Sequence, residues 1–276
     1  MGMYKLLATD LDETLLNDEH HVPERVLSAI QKARDLGVYI VPASGRGFKI
    51  MQDVMREIGT WNEEHEYSIS FNGACITENK NNRVVDLQKG TSWEFCNNIW
   101  KYGLELGCVD IHAYTLDTVW TNIMNEENRK IVKAIKLNQI ETSEPNLDFL
   151  RHNRLIKILY MSKDFEYLKE LEKKMRPMTT EVDTTFSSDL YLEFNAKGIS
   201  KGAALMRLAA YLGIKPEETI AVGDSHNDVE MIEAAGLGVY MANADEALKP
   251  HANYITKANN NEGGVAEVIE KFILNA

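Results

Sequence analysis

The sequence predicts an α/β protein, a parallel-sheet core domain carrying an inserted α/β domain. Three observations predict it. Short apolar runs end abruptly in acids or small residues, as buried parallel strands do. Amphipathic helical stretches separate these runs in strand, helix, strand order. The same pattern returns late in the chain, after a middle region of different character. At 276 residues, one large or two modest domains are expected, with ample material for a core.

The elements follow in order. Leu6-Leu7-Ala8-Thr9 and Val38-Tyr39-Ile40-Val41 read as the first two strands. Between them Pro23 suits a first helical turn, Val26, Leu27, Ile30, Ala33 and Leu36 recur at helical spacing, and Gly37 supplies the stop. Residues 48–58 read as the next helix and 67–71 as a third strand, before an Asn72-Gly73 turn. Late in the chain, residues 201–212, 229–235 and 265–273 read as helices, and 219–222 and 238–241 as strands. In the middle, 93–106 and 164–175 read as helices, and 156–161 and 179–185 as strands. The predicted boundaries are a core of 1–84 with 191–276 and an insert of 85–190, with Asn79-Lys80-Asn81-Asn82 as the hinge. No internal repeat or low-complexity tract interrupts this plan.

Composition narrows the function. Apolar residues at 44% and charged residues at 26% describe an ordinary soluble globular protein. The net charge of −12, without a basic stripe, argues against a nucleic-acid partner. Cys75, Cys96 and Cys108 form no CxxC pair, which suggests neither a disulfide framework nor a zinc site and fits a reducing cytoplasm. Met1-Gly2-Met3-Tyr4-Lys5 runs straight into the first strand, with no apolar signal or membrane span. Gly2 lacks the hydroxyl residue at position 6 that a myristoylation signal wants, since that position is Leu6. Nothing in the sequence specifies an oligomeric state.

The sharpest local signal is Asp10-Leu11-Asp12-Glu13-Thr14-Leu15, where acids terminate a buried strand and require compensation. In an open parallel sheet, ligands bind beyond the carboxyl ends of the strands, so these acids are placed at a site. Three further segments are expected at the same edge. Ser44-Gly45-Arg46 offers a hydroxyl and flexible backbone for phosphate oxygens at a helix N-terminus. Gly223-Asp224-Ser225-His226-Asn227-Asp228 brings two more carboxylates. Ser200-Lys201-Gly202 places a lysine in a first helical turn, where it opposes the macrodipole unless an anion lies nearby. Each has a bland alternative: Ser44 as a helix cap, Asp224 as a strand-end turn, Lys201 as solvated surface. Clustered carboxylates raise one another's pKa, and oxygen ligands without His or Cys favour Mg²⁺. An EF-hand is excluded, because its sixth and twelfth loop positions would be Leu15 and His21. No Walker loop, GxSxG elbow, HExxH helix or complete GxGxxG fingerprint competes.

Together these segments resemble the haloacid dehalogenase superfamily of phosphatases, and specifically its Cof-like subfamily, almost end to end. Asp10-Leu11-Asp12-x-Thr14-Leu15 resembles the first motif, Ser44-Gly45-Arg46 the second, Lys201-Gly202 the third, and Gly223-Asp224-x-x-Asn227-Asp228 the fourth. The Asn72-Gly73-Ala74, Asn243-Ala244 and Gly264-Val265-Ala266 segments are similar to this subfamily as well. The resemblance implies a Rossmann-like core with an α/β cap that sets substrate specificity. It implies Asp10 as the nucleophile that becomes an aspartyl-phosphate and Asp12 as general acid and base. Ser44, Gly45 and Lys201 would hold the phosphoryl oxygens, with Asn227 near the phosphate. Asp10, the Asp12 backbone carbonyl and Asp224 would bind Mg²⁺, with Asp228 behind them. Glu13 departs from the glycine of many relatives and is expected to point away from the metal.

The chemistry is consistent with these roles. Phosphate monoesters repel a carboxylate and hydrolyse extremely slowly unaided, so charge neutralisation must precede attack. Covalent capture then divides one hard step into two, with a nearby acid serving the leaving group. The expected function is a Mg²⁺-dependent phosphatase for a small phosphorylated metabolite such as a sugar phosphate or phosphorylated cofactor. The alternatives are a phosphosugar mutase and a non-enzymatic phosphometabolite-binding regulator; a DxD-type glycosyltransferase leaves Ser44, Lys201 and Asp224 without a shared purpose. The aromatic residues Trp93, Trp100, Tyr102, Tyr114 and Trp120 are expected to serve the core of the insert more than a stacking wall.

Overall fold

The computed structural model describes residues 4–134 and 138–275, so the Met1-Gly2-Met3 segment read above lies outside the described residues. The chain divides into two compact units, Met1–Leu87 with Ser200–Ala276, and Gln88–Ile199.

In the first unit the elements up to the insert are β1 (Leu6–Thr9), α1 (Glu24–Asp35), β2 (Tyr39–Pro42), α2 (Gln52–Glu57), β3 (Tyr67–Ser70), β4 (Cys75–Glu78) and β5 (Arg83–Leu87). The second unit holds α3 (Trp93–Leu106), β6 (Asp110–Tyr114), β7 (Val119–Asn122), α4 (Glu126–Ala134), β8 (Gln139–Glu141), β9 (Lys157–Met161), α5 (Phe165–Met175), β10 (Val182–Ser187) and β11 (Tyr191–Ala196). The first unit resumes with α6 (Lys201–Tyr211), β12 (Thr219–Gly223), α7 (Val229–Ala234), β13 (Leu237–Tyr240), β14 (Tyr254–Ile255) and α8 (Gly264–Ile269).

The main sheet of the first unit runs β14-β13-β12-β1-β2, every pair parallel. Its strands are apolar on both faces because both faces are covered. Leu7, Ile40, Ile220 and Val222 pack in one cluster with Val26, Ile30, Val265 and Ile269 of α1 and α8. Leu6, Ala8, Val41 and Ala221 pack in the other with Ala204, Leu205, Leu208 and Met231 of α6 and α7. Both clusters are removed from water, and burial of this kind contributes about 25 cal/mol per Å² of apolar surface. β1 lies between β12 and β2, so the residues following all three strands emerge at one sheet edge.

A small antiparallel sheet, β3-β4-β5, continues this unit, and a parallel bridge from Ala43 to Ile69 joins it to the end of β2. This corrects two expectations. Asn79–Asn82 is the turn of the β4–β5 hairpin, with Asn81 and Asn82 at φ 56° and 50°, and not a hinge. The unit boundaries fall at Leu87/Gln88 and Ile199/Ser200, not at 84/85 and 190/191, because β5 pairs with β4 and β11 pairs with β9 and β10. The helix read at 48–58 shortens to α2, since residues 48–51 form a turn first.

The second unit is a six-stranded sheet, β10-β11-β9-β6-β7-β8, antiparallel except for the β7–β8 edge. Phe95, Ile99 and Trp100 of α3 and Leu168 and Leu171 of α5 pack with Ile111, Ala113, Ile158, Tyr160, Leu192 and Phe194 of the sheet. The alternate residues of the same strands include the buried ion pair of Lys157 with Glu193 and the buried His112. Among the described residues, no helix is long and apolar enough to cross a membrane.

Candidate active site

Asp10 follows β1 directly and is 7% exposed, its backbone N–H donating to Val222 O of β12 at 2.9 Å. Lys201 opens α6, and Ser200 caps that helix by accepting from Ala203 N at 3.1 Å. Far from being solvated, the lysine is fully buried, its Nζ lying 2.8 Å from Asp10 Oδ1 and 2.7 Å from Asp228 Oδ1. Two carboxylates thus supply the anions that its place at a helix N-terminus demands. Asp228 Oδ2 is occupied in turn, accepting from the backbone N–H groups of Asp224 at 3.1 Å and Ser225 at 3.0 Å. Thr14 Oγ1 donates to Asp224 Oδ1.

Asp10, Asp224 and Asp228 each bring a carboxylate oxygen within 4.8 Å of the others. Two of these carboxyls, Asp10 and Asp224, are raised above the ordinary carboxylate range. The Asp10 carboxyl is raised to about 7, chiefly by burial, with Lys201 opposing and Asp228 and Asp12 adding to the rise. Burial, then Asp10 and Asp228, hold Asp224 well above the ordinary carboxylate range, with Thr14 opposing. For Lys201, burial disfavours the ammonium, but Asp10 and Asp228 outweigh it and the pKa is raised. The lysine pairs with two of the three acids, so the group retains an unmet demand for positive charge.

Ser44 is 2% exposed, and its Oγ accepts from Arg46 N at 3.2 Å, closing a local turn. No helix begins there, because α2 starts at Gln52; the expected helix N-terminus and the helix-cap alternative are both corrected to this turn. Gly45 lies within it, half-buried. Asn227 Nδ2 donates to Asn72 Oδ1 at 3.2 Å, leaving Asn227 Oδ1 buried with no hydrogen-bond partner in the structure. His226 is exposed.

The Asp12 side chain does not belong to the carboxylate group. It lies in a kinked turn, Leu11–Leu15, and Arg46 grips it: Nε donates to Oδ2 at 3.0 Å and Nη2 to Oδ1. Asp228, expected behind the metal ligands, has an oxygen inside the group, although both its oxygens already serve Lys201 and the backbone. Glu13 is exposed and adopts φ 55°, a left-handed conformation that favours glycine, while Asn243 Nδ2 steadies its carbonyl at 2.8 Å.

Thr14, Arg46, Asn72 and Asn243 also contact the site or its supporting turns, roles that their motifs alone do not assign. No local pattern pairs Asp12 with Arg46, because the two meet only when β1 and β2 lie side by side. The left-handed Asn72 and the long-range donor Asn243 had no local signal beyond a turn.

The family model for haloacid dehalogenase-like hydrolases matches residues 7–269. Among curated proteins, the chain is 32% identical to the 5-amino-6-(5-phospho-D-ribitylamino)uracil phosphatase YcsE of Bacillus subtilis, covering 98% of this chain and 96% of that one. It is 28% identical to the HMP-PP phosphatase of Serratia proteamaculans, over 90% of this chain and 87% of that one. Among solved structures, a haloacid dehalogenase-like hydrolase from B. subtilis superimposes with a TM-score of 0.85 at 27% identity, covering 98% of this chain and 100% of the other.

Proposed function

Because this chain belongs to the haloacid dehalogenase-like hydrolases, in the Cof-like branch that its motifs resemble, we propose that it is a Mg²⁺-dependent phosphatase. Its substrate is a small phosphorylated metabolite, and Asp10 carries the phosphoryl group as an aspartyl-phosphate between the two half-reactions. The observation that carries this reading is the gathering of Asp10, Asp224 and Asp228 at the edge where β1 and β12 end, with buried Lys201 paired to Asp10 and Asp228.

The donor set fits Mg²⁺. It is built of carboxylate oxygens, and burial and mutual repulsion leave two of the carboxylates, Asp10 and Asp224, wanting a cation. Asp10 and Asp224 would hold the ion, with the Asp12 carbonyl as the third protein ligand expected from the resemblance, and Asp228 fixing Lys201. When bound, Mg²⁺ neutralises phosphoryl charge and shields the attacking carboxylate from it.

The residues of the chain then divide the remaining work. Lys201 is held rigidly by Asp228 and offers its charge to the phosphoryl oxygens beside Asp10, with no reorganisation at the moment of reaction. Ser44 and Gly45 contribute a hydroxyl and backbone in a tight turn, and Asn227 an amide. Asp10 attacks phosphorus as the ester P–O bond breaks, and Asp12 passes its proton to the leaving oxygen. Water then attacks the aspartyl-phosphate, Asp12 takes up a proton, and Asp10 is released with inorganic phosphate.

The two curated relatives are named for phosphate removal from small phosphorylated molecules, which supports the same substrate class here. The direct test is a phosphate-release assay across phosphorylated metabolites. Turnover is expected with Mg²⁺ and should stop with EDTA, and Asp10→Asn should lose at least about 10²- to 10³-fold. Undiminished turnover in that variant contradicts the assignment.

A further inference from the structure

The acid–base carboxyl has a partner that the reading above leaves without a task. Asp12 and Arg46 are 29% and 23% exposed, so packing alone does not lock either side chain. Their backbones, by contrast, are fixed. Arg46 N donates to Ser44 Oγ at 3.2 Å, and Arg46 O accepts from Phe71 N at 2.9 Å. Asp12 sits at φ −67°, ψ 134°, immediately before the left-handed Glu13 whose carbonyl Asn243 holds. Two hydrogen-bonded main chains therefore carry two part-exposed side chains, and a two-point guanidinium–carboxylate fork joins them. Such a fork fixes a carboxylate in plane and direction, which a single-point contact does not. Lys201 cannot share this duty, being committed to Asp10 and Asp228.

We propose that Arg46 is a positioning residue for Asp12, clamping its carboxylate in the half of the cycle where that group acts as base. The proposal rests on the assignment of Asp12 as general acid and base. In the first half, Asp10 Oδ–P forms, the ester P–O bond breaks and the Asp12 proton moves to the leaving oxygen. The Asp12 carboxylate this creates is the species that Arg46 grips. In the second half, that carboxylate takes a proton from water as the water oxygen bonds to phosphorus and the P–O bond to Asp10 breaks. Arg46 touches no reacting atom in this scheme and acts through the orientation of Asp12.

Two substrates separate the halves. p-Nitrophenyl phosphate has a leaving group that needs no proton, and glycerol phosphate has one that does. With saturating Mg²⁺, Arg46→Gln and Arg46→Lys are expected to lose about 10-fold or more in kcat on p-nitrophenyl phosphate. Their kcat/KM should fall less than about 3-fold, with a burst of p-nitrophenol equal to the enzyme present, because only hydrolysis of the aspartyl-phosphate is slowed. On glycerol phosphate, too, kcat should fall while kcat/KM is spared, and guanidinium added to Arg46→Ala should restore kcat. Arg46→Lys keeps the charge and the aliphatic stem, so a loss there cannot be ascribed to failed folding.

A proportional fall of kcat and kcat/KM on p-nitrophenyl phosphate overturns the clamp and points to direct phosphate binding by Arg46. Wild-type kcat in both variants overturns it equally. Asp12→Asn distinguishes the two levels of the argument. If it shows the burst and the Arg46 variants do not, the clamp alone fails. If it turns over without a burst, the acid–base role of Asp12 fails with it.

Discussion

Asp10 shows how burial can outweigh an ion pair, since its carboxyl is raised despite Lys201 at 2.8 Å. Its folded pKa of about 7 lies above the ordinary aspartate value, so the unfolded chain releases this proton first as pH rises. Stability from the neutral carboxyl is therefore complete below about pH 4 and is lost as pH rises through about 7. In EDTA, Asp10→Asn should melt higher than the wild type, with a gap of several degrees opening between about pH 4 and 8. Thermal denaturation across that range checks this, and Mg²⁺ should narrow the gap by stabilising only the ionised wild-type group. A pH-independent difference would mean that the substitution acts through packing. The placement of Asp10, Lys201 and Asp224 at one sheet edge was legible because charge at the ends of apolar runs needs an explanation. The Arg46 grip on Asp12 was not, since no local pattern encodes which of two facing side chains turns toward the other.

At the scale of elements, glycine sets how closely the helices behind the site approach. A Cβ on Gly202 of α6 would stand 2.3 Å from Glu230 O and 2.5 Å from its carbonyl carbon, both backbone atoms of α7. Gly73, at φ 97°, places its α-carbon where a Cβ would lie 2.1 Å from Ser200 O, and Arg207 Nη2 holds the Gly73 carbonyl at 2.7 Å. These contacts seat the Asn72 turn against the start of α6, beside Lys201. Gly202→Ala should thus destabilise by about 1–3 kcal/mol despite alanine's better helix propensity, because backbone atoms must move. Activity should fall further than stability alone explains, as the shift displaces Lys201. Urea denaturation and phosphate release measure the two effects, and unchanged stability would show that α6 and α7 separate freely. The strands and helices of the parallel sheet were legible from two-sided burial, which leaves continuous apolar runs. β4 and β5 were not, since Cys75–Glu78 and Arg83–Leu87 are short and carry charge, and the asparagines between them read as linker. Leu36 kept the helical period yet is 63% exposed, because α1 ends one residue before it.

Across the whole molecule, one electrostatic problem recurs. The chain carries −12 net charge, and within it three acids gather at the carboxyl edge of the parallel sheet, two of them on one buried lysine. That edge was predictable from strand order, whereas the polar side of the insert sheet was not. Lys157 and Glu193 lie far apart in sequence, and only the pairing of β9 with β11 makes them neighbours. The account stands on Asp10 acting as a nucleophile and not merely as a ligand. The measurement that tests it most directly is to quench the enzyme during turnover, reduce it with borohydride and map the product by mass spectrometry. An acyl phosphate at position 10 is reduced to an alcohol, so the account predicts homoserine in place of Asp10, dependent on substrate and Mg²⁺. Steady turnover with Asp10 unmodified and the reduced residue at another position, or at none, would contradict it.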